Sequence, residues 1–254
     1  MISQDALKLS GVSKSYGVVK ALTHVDLVIK PAEFIGLLGQ NGAGKTTLFQ
    51  LLTGLFHSDS GSISISGFNI QREPIKALSK IGVVFQQSTL DLDLSVYANL
   101  KFHCLLHGLS RKTAQQRIQR ELERYSMADL MHQSVRGLSG GTRRKVELIR
   151  ALLHQPSVLL MDEATVGLDP ESRASLLEHV VSLCKERELA VLWSTHIIEE
   201  VQGADRIVVL HKGKVLAESS PVQLLQQAPQ PSFSLEDAFL QLITHNNKVG
   251  IIYE

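Results

Sequence analysis

The chain has 254 residues, enough for one large domain or two small ones, and 44% of them are hydrophobic, which is ordinary for a packed globular protein. Its formal net charge of +1 excludes an overall basic surface, so we expect no nucleic acid partner, and its two cysteines are too few for a disulfide framework. No apolar run approaches the roughly 20 residues that cross a bilayer, and the first residues lack the pattern of a signal peptide, so we expect a cytoplasmic protein without a membrane span of its own.

The hydrophobic pattern of residues 7–55 predicts two strands on either side of a turn, followed by a third strand and a helix. Residues 7–12 and 25–29 alternate apolar and polar side chains, as strands of a sheet with one wet face do. Tyr16 is predicted in the turn between them. The apolar run 34–38 predicts a buried strand, and leucines at helical spacing predict a helix over 46–55.

A glycine-rich loop with the spacing G-x-x-x-x-G-K-[ST] lies between this strand and this helix. Glycines let the backbone curl so that successive N–H groups face one phosphate chain. Lys45 adds a positive charge at the β- and γ-phosphates, and the Thr46 hydroxyl suits Mg²⁺. The flanking strand and helix favour a phosphate-binding P-loop over a glycine-rich turn that binds nothing. Its residues are Gly39, Gln40, Asn41, Gly42, Ala43, Gly44, Lys45, Thr46 and Thr47.

The middle of the chain changes from strands to helices. Residues 61–67 alternate strictly, and the apolar run 81–85 predicts another strand, with Gln86 directly after it. Between residues 95 and 132 leucine and isoleucine recur at helical spacing, with a break and cap at 108–110, so this segment predicts a small helical subdomain.

The second half alternates helices and strands. This order predicts a mostly parallel sheet covered by helices, with ligands at the carboxyl ends of its strands. The predicted helices span residues 142–154, 171–185 and 197–201, the predicted strands span 158–161, 190–194, 206–210 and 214–217, and a proline-containing linker over 226–234 precedes a last helix from 235.

Two acidic residues, Asp162 and Glu163, end one of these strands. An aspartate in this place can hold Mg²⁺ that bridges the phosphates of a nucleotide. A glutamate one residue further can accept the proton of an attacking water. The alternative, a solvated acidic pair at a strand end, is disfavoured by the P-loop upstream.

The segment Leu138-Ser139-Gly140-Gly141-Thr142 resembles the LSGGQ signature of ATP-binding-cassette (ABC) ATPases. A serine and two glycine N–H groups at a helix start form a second anion site. The resemblance implies that Ser139, Gly140 and Gly141 bind the γ-phosphate of ATP held by another subunit. A serine-capped helix start is the local alternative, but it does not account for the order of the other motifs.

The resemblance runs from about residue 7 to residue 225 and implies four further roles. Gln86 corresponds to the glutamine that contacts Mg²⁺ and the attacking water, and His196 to the switch histidine at the γ-phosphate. Asp169 corresponds to the residue that contacts the opposite subunit, and Tyr16 to the aromatic that stacks on adenine. The ordinary alternatives are a strand cap for Gln86, a neighbour of a helix cap for His196 and a core aromatic for Tyr16.

The implied fold is α/β, a P-loop NTPase of ABC type with a mostly parallel core sheet, an N-terminal antiparallel β subdomain and an inserted helical subdomain. We place the ATPase domain at residues 1–228, its helical subdomain at about 95–137, and a linker, helix and tail at 229–254. The sequence departs from the family at Thr142, usually Gln, and at Ala164, often Pro; neither change removes a phosphate ligand or the base.

The implied function is that of the ATP-hydrolysing subunit of an exporter. The run 142–145, together with 90–95 and 164–169, resembles ATPases of ABC-2-type exporters of the daunorubicin-resistance branch. The stretch 83–110 also looks like ABC ATPases associated with pyrroloquinoline-quinone-dependent alcohol catabolism. The resemblance implies ATP and Mg²⁺ as cofactors, a head-to-tail homodimer joined by ATP, and a separate ABC-2-type permease that holds the chain at the inner face of the membrane.

Two alternatives remain at this point. A soluble ABC ATPase could drive an assembly process without transport. A P-loop kinase or GTPase would lack the segment 138–142 and is disfavoured. The cargo of an exporter is not encoded in this chain, since cargo contacts belong to the permease.

Overall fold

A computed structural model describes residues 5–227 and 234–250 of the chain. The described part contains two β-sheets and the helices around them. The strands are β1 Leu7–Tyr16, β2 Val19–Ile29, β3 Phe34–Leu38, β4 Ser60–Ile65, β5 Phe68–Asn69, β6 Ile81–Val84, β7 Val158–Asp162, β8 Ala190–Thr195, β9 Arg206–His211 and β10 Lys214–Ser219. The α-helices are α1 Lys45–Leu52, α2 Pro74–Leu78, α3 Val96–Leu106, α4 Arg111–Arg124, α5 Gly140–Leu152, α6 Pro170–Glu186, α7 Pro221–Gln227 and α8 Leu235–Gly250; short 3₁₀ helices cover Ala128–Leu130, Val135–Gly137 and Ile198–Val201.

The larger sheet has six strands in the order β10-β9-β3-β8-β7-β6. The five strands from β9 to β6 are parallel, and β10 pairs antiparallel with β9. Strands β3 and β8 are buried along their whole length, which is why their sequences are nearly continuous apolar runs. The predicted mostly parallel core sheet is confirmed.

The smaller sheet is antiparallel, with the order β2-β1-β4-β5, and confirms the predicted N-terminal β subdomain. The hairpin of β1 and β2 is longer than predicted, because Tyr16 pairs with Val19 as the last residue of β1. The turn is therefore formed after Tyr16, at Gly17 and Val18, and the prediction of a turn at Tyr16 was wrong by one residue. Register shifts along the hairpin interrupt the alternation, which hid the start of β2 at Val19.

The hydrophobic core lies on both faces of the six-stranded sheet. Within β3, Ile35 and Leu37 face a cluster that includes the antiparallel sheet and α1, whereas Phe34 and Leu38 face a second cluster. The second cluster also contains buried side chains of α3 and α4, such as Leu100. The helical segment therefore packs directly on the sheet.

Three short elements escaped the sequence analysis: β5, α2 and α7. Each has seven residues or fewer, too few for a periodic pattern to stand out. Helix α8 begins as predicted, with Ser234 Oγ accepting a hydrogen bond from the N–H of Asp237 at 3.0 Å. The linker was predicted over 226–234, but Gln226 and Gln227 belong to α7, so it begins later than predicted. Residues 228–233 of the linker and residues 251–254 of the predicted tail lie outside the described residues, so the domain boundary near 228 stays a prediction.

None of the helices in residues 5–227 and 234–250 is both long enough and apolar enough to cross a membrane.

Close packing of α5 against β6 generates a stability prediction. A Cβ added to Gly82 would lie 2.3 Å from the carbonyl oxygen of Ala151 and 3.1 Å from Pro156 Cγ, and a backbone atom cannot move aside cheaply. We expect Gly82→Ala to lower the free energy of unfolding by about 1–3 kcal/mol. Gly137→Ala is the control, since nothing lies within 4 Å of the added Cβ, and it should change stability by less than about 0.5 kcal/mol. Urea denaturation followed by circular dichroism measures both; equal midpoints for the two variants would contradict the packing argument.

Candidate active site

A cavity of about 700 Å³ lies at the carboxyl ends of the central parallel strands. The pairing of β3 with β8 and of β8 with β7 sets Leu38 beside Thr195 and Asp162 beside Ser194. The loops that leave these strands therefore meet at one edge of the sheet. The cavity is lined by Val19, Lys20, Ala21, Gln40, Asn41, Gly42, Ala43, Gly44, Lys45, Thr46, Thr47, Gln86, Asp162, Glu163, Val166, His196 and Lys212.

The glycine-rich loop curls between β3 and α1 as the sequence predicts. Gly44 has φ +109°, a backbone conformation open to glycine, and a Cβ there would lie 2.7 Å from the carbonyl oxygen of Ala21. Gly39 is similarly enclosed, since a Cβ added to it would lie 2.7 Å from the carbonyl oxygen of Leu210. The loop can therefore bend tightly only with these glycines, and the N-terminus of α1 faces the cavity.

Lys45 carries the charge of this loop and is only 5% exposed. Its Nζ donates hydrogen bonds to the carbonyl oxygens of Gly39 at 2.6 Å and Gln40 at 3.3 Å. Gly39 itself does not line the cavity, but it contributes through this carbonyl. The ammonium group is thus held inside the loop, where an anionic ligand would meet it.

The Glu163 carboxylate contacts three of the predicted site residues. Its Oε1 lies 3.3 Å from Lys45 Nζ and 3.6 Å from His196 Nδ1, and its Oε2 accepts a hydrogen bond from Gln86 Nε2 at 3.2 Å. The four side chains come from segments far apart in sequence, and the sheet brings them to one point. The structure therefore groups Glu163, predicted to accept the proton of water, with the three side chains that the sequence analysis assigned to the phosphates or to the attacking water.

The backbone of Glu163 is unusual as well. Its φ is +46°, a left-handed value that non-glycine residues seldom adopt, and its N–H donates to the carbonyl oxygen of Ser194 at 3.0 Å. This bond extends the β7–β8 pairing one residue past the strand. Glu163 is thereby turned back toward Lys45 instead of continuing the line of the strand.

Asp162 is the last residue of β7 and, like Glu163, is half-buried. Burial raises the pKa of the Asp162 carboxyl, and the nearby Glu163 charge acts in the same direction. The cavity also holds Thr46 and Gln86, so a carboxylate, a hydroxyl and an amide oxygen share one space. These are the oxygen ligands that Mg²⁺ takes in proteins, and the residues present fit such an ion.

The predicted signature residues lie outside this cavity. Ser139 is the N-cap of α5, with its Oγ accepting a hydrogen bond from the N–H of Thr142 at 3.2 Å. Ser139 and Gly140 are exposed to solvent. A Cβ on Gly141 would lie 2.4 Å from Ser172 Oγ, so glycine is required there by packing. Their assignment to a phosphate of another subunit stays a prediction.

Asp169 and Tyr16 also lie outside the cavity. Asp169 is the N-cap of α6, and the hydrogen bonds from Ser172 lower the pKa of its carboxyl. Tyr16 is 41% exposed, donates its hydroxyl hydrogen to Gln50 Oε1 at 3.2 Å and meets the ring of Phe56 edge-on. It is thus not a core aromatic. Its contact with adenine stays a prediction.

Some lining residues were missed by the sequence analysis. Val19, Lys20 and Ala21 form one wall because β2 begins at Val19, earlier than the sequence predicts. Lys212 reaches the cavity from the turn between β9 and β10. Val19, Lys20 and Ala21 could have been predicted from the sequence, because they follow closely after Tyr16, which the resemblance assigns to adenine.

A buried ion pair behind the cavity was also missed. Arg144 Nη1 lies 2.5 Å from Glu147 Oε2, and its guanidinium donates to the carbonyl oxygens of Phe85 at 2.6 Å and Gln86 at 2.8 Å. Glu147 Oε1 accepts a hydrogen bond from the N–H of Thr89 at 2.9 Å. Helix α5 therefore fixes the loop that presents Gln86. An arginine and a glutamate three residues apart in an otherwise apolar helix face were the available signal.

Comparison with known proteins identifies the class. The family model described as ABC transporter matches residues 22–166, which span the glycine-rich loop, the signature segment and the acidic pair. The chain belongs to the ABC transporter family, and it is an ATP-binding ATPase of that family.

Individual relatives narrow the resemblance to exporters of the drug-resistance type. The daunorubicin resistance ATP-binding protein DrrA3 of Streptomyces coeruleorubidus is 38% identical over 223 residues, which cover 88% of this chain and 71% of that protein. An ATP-binding subunit of an ABC transporter superposes with TM-score 0.83 at 27% identity, covering 93% of this chain and 99% of its own. A dimeric ATP-binding cassette in a post-hydrolysis state, bound to ADP and Pi, superposes with TM-score 0.76 at 27% identity. The match covers 84% of this chain and 98% of that chain. The predicted ABC fold and daunorubicin-resistance branch are confirmed.

The buried position of Lys45 generates a binding prediction. Lys45→Ala removes the ammonium group that the glycine-rich loop holds, and we expect ATP affinity to fall by roughly 10- to 150-fold, the range for a charge-assisted hydrogen bond. Lys214→Ala, at an exposed lysine on β10 outside the cavity, is the matched control and should leave affinity unchanged. Titration with a fluorescent ATP analogue measures both. Wild-type affinity in Lys45→Ala would refute the role of this loop.

Proposed function

We propose that this chain is the ATP-hydrolysing subunit of an ABC-2-type exporter and that it works as a head-to-tail homodimer on a separate permease. The observation that carries the proposal is the division of the site. The cavity gathers the phosphate loop, Asp162, Glu163, Gln86 and His196, whereas the signature helix start lies exposed elsewhere on the chain. One chain thus presents two unlike halves of a nucleotide site.

A two-fold dimer makes both halves useful. In a symmetric pair, the signature segment of each subunit can cover the cavity of the other, so two equivalent sites form at once. The exposed N-terminus of α5, capped by Ser139, offers N–H groups and a helix dipole to the γ-phosphate. ATP then stabilises the closed dimer because it binds that state better than the open one.

Glu163 is the proposed general base. Its contacts with Lys45, Gln86 and His196 hold the carboxylate at the cavity wall. A γ-phosphate competes with Glu163 for the Lys45 ammonium, which leaves the carboxylate free to accept a proton from water in line with the phosphate. Gln86 and His196 then position that water and the transferred phosphate.

Thr46, Gln86 and Asp162 are the residues that would hold Mg²⁺. When bound, the ion neutralises charge on the β- and γ-phosphate oxygens. The raised pKa of Asp162 means that this carboxyl gives up its proton less readily than a solvated aspartate, and a nearby cation offsets that cost. Val19 and Lys20 line the cavity beside the hairpin turn, and the nucleoside is proposed to extend toward them and toward Tyr16, which precedes that turn.

The permease is proposed to dock on α3. This helix exposes Phe102 at 63%, Leu105 at 46% and Leu106 at 69%, an apolar surface that is unusual on a helix facing water. Phe85, next to Gln86, is also exposed. A partner that also contacts Phe85 would lie one residue from Gln86. Arg144 donates a hydrogen bond to the carbonyl oxygen of Gln86, so movement of the partner would be passed to this loop and to α5. Docking of this kind places the chain in the cytoplasm, at the inner face of the membrane.

Replacement of the base tests the chemistry and the dimer together. We expect Glu163→Gln to retain ATP binding, because the P-loop is untouched and a negative charge near the γ-phosphate is removed. Turnover should fall by roughly 10²- to 10⁴-fold, the contribution of a positioned base. ATP and Mg²⁺ should convert the variant to a stable dimer in light scattering.

The matched control is Glu178→Gln, an exposed glutamate on α6, which should keep wild-type turnover and remain monomeric after hydrolysis. Full ATPase activity in Glu163→Gln would eliminate Glu163 as the base. Loss of turnover without any ATP-dependent dimer would leave the base in place and reject the dimer.

Docking is tested by copurification from the native host. Tagged Glu163→Gln protein, purified from solubilised membranes with ATP and Mg²⁺, should carry a stoichiometric multi-span protein. Leu106→Asp should abolish this copurification because it places a charge in an apolar contact, yet it should bind ATP normally. Val222→Asp, 65% exposed on α7, is the control that keeps the partner. Recovery of a soluble partner and no membrane protein would replace the exporter with an assembly ATPase.

A further inference from the structure

Three histidines lie together behind the exposed face of α3. His103 and His107 are four residues apart at the end of α3, on one face of the helix, and His154 follows the end of α5. One ring nitrogen of each lies within 4.8 Å of a ring nitrogen of the other two. The ring centroids of His107 and His154 are 3.8 Å apart, and those of His103 and His107 are 4.5 Å apart.

The hydrogen bonding of these rings leaves nitrogen atoms available. His154 Nε2 lies 2.8 Å from the carbonyl oxygen of Ile81, which can only accept, so Nε2 carries the hydrogen and Nδ1 keeps a lone pair. His154 Nδ1 and His103 Nε2 are both buried and have no hydrogen-bond partner in the described part of the chain. A ring whose one nitrogen is fixed by a backbone carbonyl while the other is free is the usual arrangement of a metal-binding histidine.

The surroundings keep the rings neutral. Burial lowers the pKa of His103 to about 3 and of His154 to about 4, and it lowers the pKa of His107 as well. A buried, unpaired imidazole nitrogen costs free energy that a ligand would recover.

A cavity of about 320 Å³ opens onto the three rings. Its wall includes apolar side chains such as Leu78 and Val83, so a bound ion would be partly shielded from water. Arg150 also lines the cavity; its guanidinium donates to the carbonyl oxygen of Thr89 at 3.3 Å, and burial lowers its pKa. The positive charge of Arg150 opposes any bound cation electrostatically, so an ion must gain its affinity from bonds to imidazole nitrogen, which suits transition metals and not hard cations such as Mg²⁺.

We propose that His103, His107 and His154 form a binding site for a divalent transition-metal ion of the Zn²⁺ type. Three neutral imidazoles leave a fourth position open toward the cavity, which water can fill. Nitrogen atoms that share one tetrahedral ion lie about 3.3 Å apart, given a Zn–N bond of about 2.0–2.1 Å. The His107 ring must turn out of its stack with His154 to reach this geometry.

The site is separate from the cavity that the P-loop lines, which contains none of these histidines. An ion held there would join the end of α3 to α5 and, through the Ile81 carbonyl, to β6. It would therefore tie the helical segment to the sheet beside Phe85, which also lines this second cavity. The proposal stands independently of the exporter function.

The test uses the full chain with its affinity tag removed, because a histidine tag would bind the same ions. Co²⁺ is titrated as a spectroscopic probe in excess Mg²⁺, which occupies oxygen sites such as Asp162 and Thr46 but not imidazole sites. We expect one equivalent of Co²⁺ with the intense visible absorption of a tetrahedral complex. Zn²⁺ should displace it and remove the absorption.

Variants then assign the ligands. His107→Gln removes a direct ligand, so it should weaken Co²⁺ binding by more than the roughly 10- to 100-fold that is lost when only a hydrogen-bond partner of a ligand is removed. Circular dichroism should show that the variant is folded. His132→Gln, at an exposed histidine in the same helical region, is the matched control and should bind as the wild type does. His103→Gln, tested for folding in the same way, should behave like His107→Gln.

Two results would overturn the proposal. One is the absence of a stoichiometric Co²⁺ or Zn²⁺ complex in the wild-type chain, which would make the cluster a packing feature. The other is unchanged affinity in both His107→Gln and His103→Gln, which would place the ion elsewhere.

Discussion

The contact of the Glu163 carboxylate with the Lys45 ammonium is the interaction on which the site depends. The two charges lie 3.3 Å apart; Gln86 Nε2 donates a hydrogen bond to the same carboxylate, and His196 Nδ1 lies 3.6 Å from it. Opposite charges at this distance in a shielded cavity attract strongly, so the pair holds the phosphate loop and the acidic strand end together. In the proposed mechanism it also sets the chemistry, since a phosphate that takes over Lys45 would release Glu163 to act as the base for the attacking water.

That contact exists because parallel strands end in register. Pairing of β3, β8 and β7 brings three loops to one edge of the sheet, and the left-handed backbone of Glu163 turns its side chain inward. A second layer then supports the first. Arg144 and Glu147, buried together on α5, hold the carbonyl oxygens and N–H groups of the loop that carries Gln86. Because α5 begins at the signature segment, both halves of the proposed dimer site share one rigid element.

Prediction from sequence succeeded where a local pattern is also the cause of the structure. The run 34–38 is apolar throughout because both faces of β3 are buried, and its bounds match the prediction. Helix caps were recognisable for the same reason, since Ser139 satisfies the N–H of its own helix. The hairpin at Tyr16 and Val19 was misjudged because register shifts interrupt its alternation, and α7 was missed because seven residues carry little periodicity.

The sequence by itself determined the family, the phosphate loop, the acidic pair and the order of strands and helices, because motif spacing and hydrophobic periodicity are local properties of the chain. Only the tertiary structure decided which side chains meet. It set Arg144 against Phe85, 59 residues earlier, and it brought His154, just after α5, to His103 and His107 at the end of α3. It also left Ser139 outside the cavity of its own chain, although the family resemblance assigns this serine to a phosphate. Such contacts depend on how elements pack, and no local pattern encodes that.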